Sequence, residues 1–285
     1  LRPDIIMLST SMQGQTGPYA SHPGSGHKLT GLTGFSNILG WPDSKPGWIN
    51  AYTDFIAPRY NIVALMAALD YRRRTGKGQY LDMSQYEAGL QFMAPLLLDY
   101  DVNRRIATRM GNQCAYAAPH SAYRCLGEDR WCAIAVFTDE EWQNFCRVIG
   151  NEALSKDTRF CTLLARKENE AALDALVNEW TERRSAEDVM NLMQSAGVAA
   201  GVVETGEDLL ENDPQIRHRN TFTELEYPGI GKYRSQAGPH FLMSKYKCEM
   251  TVAPKMGEHN EYVFKKVVGM SDAEYDKLVA DGVID

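Results

Sequence analysis

Residues 50–58 read Asn-Ala-Tyr-Thr-Asp-Phe-Ile-Ala-Pro, and they open the clearest helical pattern in the chain. Pro58 suits the first turn of a helix, and Gly76 suits the residue that follows the last turn. Between them, apolar side chains recur at helical spacing at Ile62, Val63, Leu65, Met66 and Leu69. The sequence therefore predicts a helix, with Asp54 at or just before its N-terminus.

Asp54 has two interpretations at such a position. The free N–H groups and the dipole of a helix N-terminus favour an ionised carboxylate, which can attack an electrophilic carbonyl carbon. Aspartate is also among the preferred N-cap residues, so Asp54 could serve only to start the helix. The local sequence leaves both interpretations open.

Composition restricts the class of protein. The 285 residues carry a net charge of −7, and basic residues do not cluster among aromatic ones, so no nucleic-acid surface is expected. No apolar run approaches the roughly 20 residues that a membrane-spanning helix needs. The cysteines lack C-x-x-C spacing and the histidines lack H-x-x-x-H spacing, which argues against a metal site. We therefore expect a cytoplasmic enzyme that binds no membrane, nucleic acid or metal.

Strand and helix patterns alternate along the chain, as they do in α/β proteins. Short apolar runs predict strands at residues 3–9, 80–83, 131–136 and 198–203. Ser84, Thr138, Ser185 and Ser271 are each followed three residues later by an acidic residue, a pattern typical of helix starts. Polar linkers place boundaries near residues 109 and 204. We predict three segments, at residues 1–108, 109–203 and 204–285.

Several short motifs accompany Asp54 in a fixed order. They are Gly-Gln-Thr-Gly-Pro-Tyr at 14–19, Arg59, Thr-Gly-Lys-Gly-Gln at 75–79, Asp-Met-Ser at 82–84, Gly-Val-Ala-Ala-Gly-Val-Val at 197–203, Asp-Pro-Gln-Ile-Arg at 213–217, Gly-Pro-His at 238–240 and Ala-Pro-Lys-Met-Gly-Glu-His at 253–259. Together they resemble the class III CoA-transferases, the CaiB/BaiF family that includes formyl-CoA transferase-like enzymes. The resemblance covers essentially the whole chain.

The resemblance implies a fold and a quaternary structure. The fold is a Rossmann-like large domain with a smaller α/β domain inserted in it, and two subunits interlock as a dimer. Residues 1–108 would then be part of the large domain, 109–203 the small domain and 204–285 the return to the large domain. Family members carry a further N-terminal portion of the large domain that this sequence lacks. The partner subunit would be a second copy or a related chain.

The resemblance also implies a covalent mechanism on Asp54. Its carboxylate would attack a donor acyl-CoA, giving an aspartyl anhydride and then an aspartyl-CoA thioester. A small carboxylic acid would accept the CoA in the second half of the reaction. Coenzyme A thioester is thus a substrate, and no tightly bound cofactor is expected.

Two alternatives remain open within this resemblance. The α-methylacyl-CoA racemase branch pairs a histidine with an aspartate across the α-carbon of its substrate. That histidine aligns near Ser25, where only His27, two positions away, could replace it. The other alternative is a non-catalytic partner subunit of a heteromeric CoA-transferase.

Residues 24–27, Gly-Ser-Gly-His, are the other candidate site residues near Asp54. Oxalate-type family members have a tyrosine where this chain has Ser25. Gly24 and Gly26 could let backbone N–H groups approach a substrate carboxylate, or they could form a flexible turn. His27 could hold a carboxylate or merely pack.

Residues 114–118, Cys-Ala-Tyr-Ala-Ala, stand where some family members have a glycine loop that covers the intermediates. Without glycines, a lid that includes Tyr116 would be stiffer and more apolar. Arg124 could clamp a substrate carboxylate or lie on the surface. The short Ser25 side chain leaves room for a bulky acid, such as an aromatic one, because aromatic residues lie in nearby motifs. These residues are Trp41, Trp48, Tyr52, Phe55 and Tyr116.

Overall fold

The computed structural model describes residues 2–235 and 241–284, and its internal contacts divide the chain into two units between Val203 and Glu204. The first unit begins with the elements around Asp54: β1 (Ile6–Ser11), α1 (Gly26–Leu32), α2 (Phe35–Ile38), α3 (Tyr52–Thr75), β2 (Gln79–Ser84), α4 (Gln85–Phe92) and α5 (Ala94–Asn103). It continues with β3 (His120–Arg124), β4 (Trp131–Ala135), α6 (Asp139–Val148), a 3-10 turn (Glu152–Lys156), α7 (Leu163–Glu168), α8 (Glu170–Thr181), α9 (Ala186–Ser195) and β5 (Ala199–Val202). The predicted α/β class is therefore confirmed. The predicted boundary near residue 109 falls within this unit and stays a prediction.

β1 and β2 form a parallel pair, in register from Ile6 opposite Gln79 to Ser11 opposite Ser84. Parallel strands end at the same edge of a sheet, where ligands of open α/β sheets bind. At that edge the backbone N–H of Gln15 donates to the Asp82 carboxylate at 3.1 Å. The motifs at 14–19 and 82–84, which lie far apart in sequence, therefore meet there.

Helix α3 begins earlier than the sequence predicted, because a buried threonine from α1 caps it. The Thr30 hydroxyl lies 2.9 Å from the carbonyl oxygens of both Gly26 and Asn50, and it accepts the N–H of Tyr52 at 3.2 Å. Helix α3 consequently starts at Tyr52, and Asp54 is its third residue. Pro58 lies in the second turn, not the first as predicted.

Two apolar cores lie within the first unit. The smaller core lies where α3 and α4 meet, and its buried members are Phe35, Ile56, Ala88 and Met93. The larger core lies between the antiparallel sheet β3–β4–β5 and helices α6, α8 and α9; its largest members include Tyr123, Ile134, Trp142, Phe145 and Leu173. Capping residues fix the starts of these helices as predicted, since Thr138 and Glu141 form a capping box for α6 and Ser185 caps α9.

The described residues of the second unit form a hairpin and four helical segments. Its elements are a π-helical turn (Asp208–Asn212), α10 (Pro214–Arg219), β6 (Thr223–Tyr227), β7 (Gly231–Ser235), a second π-helical turn (Tyr262–Val267) and α11 (Asp272–Ala280). Asp213 caps α10 by accepting the N–H of Ile216 at 2.7 Å, and Ser271 caps α11 as predicted. The Gly-Pro-His motif at 238–240 lies outside the described residues.

Two expectations about the whole chain were tested on residues 2–235 and 241–284. None of the helices described there is long and apolar enough to cross a membrane. Nor do three or more histidine, cysteine or acidic side chains in these ranges gather in a way that would hold a metal ion.

A titratable carboxyl group lies beside the larger core. Tyr123 is only 1% exposed, and its hydroxyl donates to the Asp174 carboxylate at 2.6 Å. Burial raises the pKa of Asp174 above its ordinary value, the Tyr123 hydrogen bond lowers it, and the charge of Glu170 raises it further. The net raised pKa means that the folded protein binds this proton more tightly than the unfolded chain does.

We predict that Asp174→Asn stabilises the protein increasingly as the pH rises. Protonated Asp174 contributes to the free energy of unfolding in full below the pKa of an aspartate in the unfolded chain, about 3.9. This contribution is lost as the pH rises through the raised pKa of Asp174 in the folded protein. Asparagine keeps an acceptor for Tyr123 but does not titrate. Urea unfolding of both proteins between pH 4 and 7 measures the effect; a difference in unfolding free energy that does not change with pH would contradict it.

Candidate active site

The carboxylate of Asp54 lies directly against the backbone of Gly26. A methyl group added at Gly26 would lie 2.5 and 2.6 Å from the two carboxylate oxygens of Asp54, and 2.5 Å from the Cβ atom of Ala51. Real Cβ atoms do not approach other atoms so closely, so glycine is needed here. The first turns of α1 and α3 therefore meet at this carboxylate, and the structure brings together two of the predicted site residues.

The other residues of the 24–27 stretch form one side of this site. Ser25 caps α1, since its hydroxyl accepts the N–H of Lys28 at 3.4 Å. Gly24 lies against Met12, whose Cγ atom would be 2.9 Å from a methyl group at that position. His27 is exposed, and its ring meets the Trp48 ring edge-on, with 4.8 Å between the ring centroids.

The Asp54 carboxylate is exposed and makes no hydrogen bond or ion pair within the described parts of the chain. The N-cap of α3 is Ala51, so the interpretation of Asp54 as an N-cap is wrong. Two cations close in sequence each donate to a backbone carbonyl: the Lys28 ammonium donates to the Pro23 carbonyl at 2.8 Å, and Arg59 donates to the Phe55 carbonyl. The Asp54 side chain therefore lies in the first turn of α3, and its carboxylate oxygens accept no hydrogen bond from the described residues.

A family model described as CoA-transferase family III matches residues 1–260. The chain belongs to CoA-transferase family III. The resemblance seen in the sequence motifs is confirmed.

Known members of CoA-transferase family III resemble this chain over nearly its whole length. A succinyl-CoA–D-citramalate CoA-transferase of Chloroflexus aurantiacus is 30% identical over 286 residues, which cover 100% of this chain and 70% of that enzyme. A probable CoA-transferase of Mycobacterium tuberculosis is 28% identical, and this chain covers 36% of its length. The human succinyl-CoA:glutarate CoA-transferase is 25% identical, and this chain covers 65% of it. The chain thus spans between 36% and 70% of the length of these relatives.

Solved structures agree with the fold. A CaiB/BaiF family protein from Brucella suis is 29% identical and superimposes with a TM-score of 0.81, over 93% of this chain and 68% of that protein. The protein Rv3272 of M. tuberculosis, at 23% identity, shares the fold with a TM-score of 0.75 over 90% of this chain and 68% of its own.

The structure does not bring Tyr116 and Arg124 to Asp54 through any interaction of the described residues. Tyr116 stacks on Phe137, with ring centroids 6.3 Å apart. Arg124 lies at the end of β3, where its backbone N–H donates to Asn178 of α8 at 3.2 Å. Their roles in this family III member therefore stay predictions.

The predicted group of aromatic residues is dispersed. Trp41 covers Gly111, where an added methyl group would lie 2.3 Å from the indole ring. Tyr52 packs edge-on against Phe35, with 5.4 Å between ring centroids. Of this group, Trp48 and Phe55 stand on segments next to Asp54 with more than half of their surface exposed.

Sequence reasoning missed Thr30 and Asn50, which orient the site. Asn50 adopts a left-handed conformation with φ of 53°, and its side-chain oxygen accepts the N–H of Ala51 at 2.9 Å. Asparagine tolerates this conformation better than most residues, which was a usable signal for a tight turn before α3. The Thr30 contact joins residues 22 positions apart, so no local pattern could reveal it.

We predict that Gly26→Ala lowers CoA transfer at least about 100-fold while the protein stays folded. The added methyl group must displace the Asp54 carboxylate, and a shift of about 1 Å in a reacting group can cost that much. Gly31→Ala is the matched control, because it lies in the same helix and its added methyl group would meet no atom within 4 Å. The initial rates and the thermal unfolding of both variants check this; equal activity of the two would show that the contact at Gly26 is not needed.

Proposed function

We propose that this chain carries the acyl-transfer site of a class III CoA-transferase and that Asp54 is its nucleophile. The observation that supports this is the Asp54 carboxylate itself, which is exposed, free of hydrogen bonds within the described residues and held against Gly26. A carboxylate that accepts no hydrogen bond keeps its lone pairs for attack on a carbonyl carbon, and the Gly26 backbone bounds one side of its position. A purely structural aspartate would normally use its oxygen atoms in hydrogen bonds.

The proposed reaction conserves the thioester bond energy. A carboxylate oxygen of Asp54 bonds to the donor carbonyl carbon, the carbon–sulfur bond breaks, and CoA leaves as a thiolate. The thiolate then attacks the Asp54 carbonyl of the anhydride, which forms the aspartyl-CoA thioester and releases the donor acid. An acceptor carboxylate attacks this thioester, and the thiolate finally takes the new acyl group and restores Asp54. Water is not a reactant in any step.

Backbone donors near Asp54 suit the negative charge that develops in each tetrahedral step. The N–H groups of Gly26 and His27 make no hydrogen bond among the described residues. Preorganised N–H donors of this kind stabilise oxyanions. We assign them this role in the proposed reaction.

We further propose dicarboxylic acids as the substrate class, with succinyl-CoA as the donor. Relatives are named for succinyl-CoA with D-citramalate, glutarate or L-malate. An aromatic acid is less favoured, because Trp41 packs against Gly111 and Tyr52 packs against Phe35. Related alpha and beta subunits of a malate CoA-transferase support an assembly of two chains, which we propose to be an interlocked homodimer or heteromer.

The test is to trap the intermediate. We predict that the full-length protein, incubated with succinyl-CoA and hydroxylamine, forms a hydroxamate on Asp54 that peptide mass spectrometry locates. Asp54→Ala should form no adduct and should lose at least about 1,000-fold in transfer rate, because nothing replaces the nucleophile. Asp43→Ala, at another exposed aspartate, is the control and should behave as the wild type.

Other outcomes favour the alternatives. A hydroxamate on a different residue, or wild-type transfer by Asp54→Ala, would exclude Asp54 as the nucleophile. The absence of any adduct, together with exchange of the α-proton of 2-methylacyl-CoA, would favour the racemase alternative. The absence of both activities would favour a non-catalytic subunit.

A further inference from the structure

Two aromatic side chains with unused N–H donors stand beside Asp54. The rings of His27 and Trp48 meet at an angle of 81°, with their centroids 4.8 Å apart. Trp48 is 71% exposed and His27 is exposed too. Neither the imidazole nitrogens nor the indole nitrogen forms a hydrogen bond within the parts of the chain that the structure describes.

Both rings lie on segments that meet close to the Asp54 carboxylate. His27 directly follows Gly26, which contacts that carboxylate. Trp48 stands two residues before Asn50, whose carbonyl accepts from Thr30 of α1. The two segments that converge on Asp54 therefore each carry one of the rings, and the contact between the rings restricts the rotation of both.

The cations closest in sequence are partly engaged by the backbone. Lys28 donates its ammonium group to the Pro23 carbonyl, and Arg59 donates to the Phe55 carbonyl. The His27 and Trp48 rings, by contrast, offer N–H donors that make no hydrogen bond among the described residues. A flat indole face beside a hydrogen-bond donor suits a short methylene chain that ends in a carboxylate.

We propose that the His27–Trp48 pair determines specificity by recognising the second carboxylate of a dicarboxylic substrate whose first carboxylate reacts at Asp54. His27 donates an imidazole N–H to the distal carboxylate, and the Trp48 ring covers the methylene groups between the two ends. The aromatic contact orients the donor before the substrate arrives, which lowers the entropy lost on binding. This inference rests on the proposed function and adds the recognition element to it.

The experiment compares two acceptors that differ in one negative charge, glutarate and its monomethyl ester. Succinyl-CoA is the donor at a saturating concentration, and kcat/KM is measured for each acceptor. In a reaction of two half-reactions, kcat/KM for the acceptor contains only steps of the second half, so effects on the donor do not enter the ratio.

We predict that the wild type prefers glutarate and that His27→Phe lowers the ratio of the two kcat/KM values by about 10- to 100-fold, because phenylalanine keeps the ring contact but has no N–H donor. His27→Gln, which offers an amide N–H, should recover part of the preference. His22→Phe is the matched control, since His22 also pairs with an aromatic ring, that of Tyr19 at 5.0 Å, on the loop that precedes α1. This control should leave the ratio unchanged.

Hydroxamate trapping on Asp54 separates the possible failures. If the adduct forms in the wild type and in His27→Phe but the ratio is the same in both, the recognition role of His27 is overturned and the proposed function stands. If His22→Phe lowers the ratio as much as His27→Phe does, the effect is not specific to the His27–Trp48 pair, and the inference is also overturned. If the wild type forms no adduct and transfers no CoA, the proposed function fails and this inference fails with it.

Discussion

A single buried hydroxyl group joins the two helices on which the candidate site depends. Thr30 of α1 is fully buried, accepts the first N–H of α3 and lies within hydrogen-bond distance of two carbonyl oxygens. Separating α1 from the turn before α3 would break the contacts of the Thr30 hydroxyl with Asn50 and Tyr52, and each buried polar group left without a partner costs about 1–3 kcal/mol. The turn at Asn50 and the start of α3 at Tyr52 both follow from this contact. Asp54, two residues later, is thereby directed at the backbone of Gly26.

The Asp54 carboxylate accepts no hydrogen bond from the described residues, which leaves its oxygen lone pairs available for reaction. Hydrogen bonds to a carboxylate would fix its direction, but they would also use the lone pairs that a nucleophile needs. Here the backbone of Gly26 lies against the carboxylate and limits its direction, while the helix dipole favours the negative charge. The two requirements of a carboxylate nucleophile, orientation and available lone pairs, are met by different groups. The carboxylate can lie this close to the backbone of residue 26 only because that residue is glycine.

The sequence predicted the features that depend on neighbouring residues. The capping boxes at Thr138 and Ser271 were predicted correctly, because the residues involved are three positions apart. The α/β class and the long helix after Asp54 follow from periodicity, which is also local. The start of α3 was misplaced because its first N–H is capped from α1 and not from within its own segment. For the same reason, sequence reasoning could group Tyr116 and Arg124 with Asp54 but could not determine whether any contact joins them.

Residues 114–118 would correspond to a mobile lid in some family members, but in this chain hydrogen bonds and burial anchor them at Ala118. Ala118 is fully buried, its N–H donates to Val136 at 3.1 Å, and its carbonyl accepts from Arg166 at 2.8 Å. Arg166 is itself fully buried against Trp142 and also donates to the Phe160 carbonyl at 3.2 Å, so releasing Ala118 would remove one of its buried hydrogen bonds. That cost opposes independent movement of the buried end of this segment, Ala117 and Ala118. Both alanines at 117 and 118 are fully buried, and Ala118 is a member of the larger core, so the end of this segment is part of the packed interior.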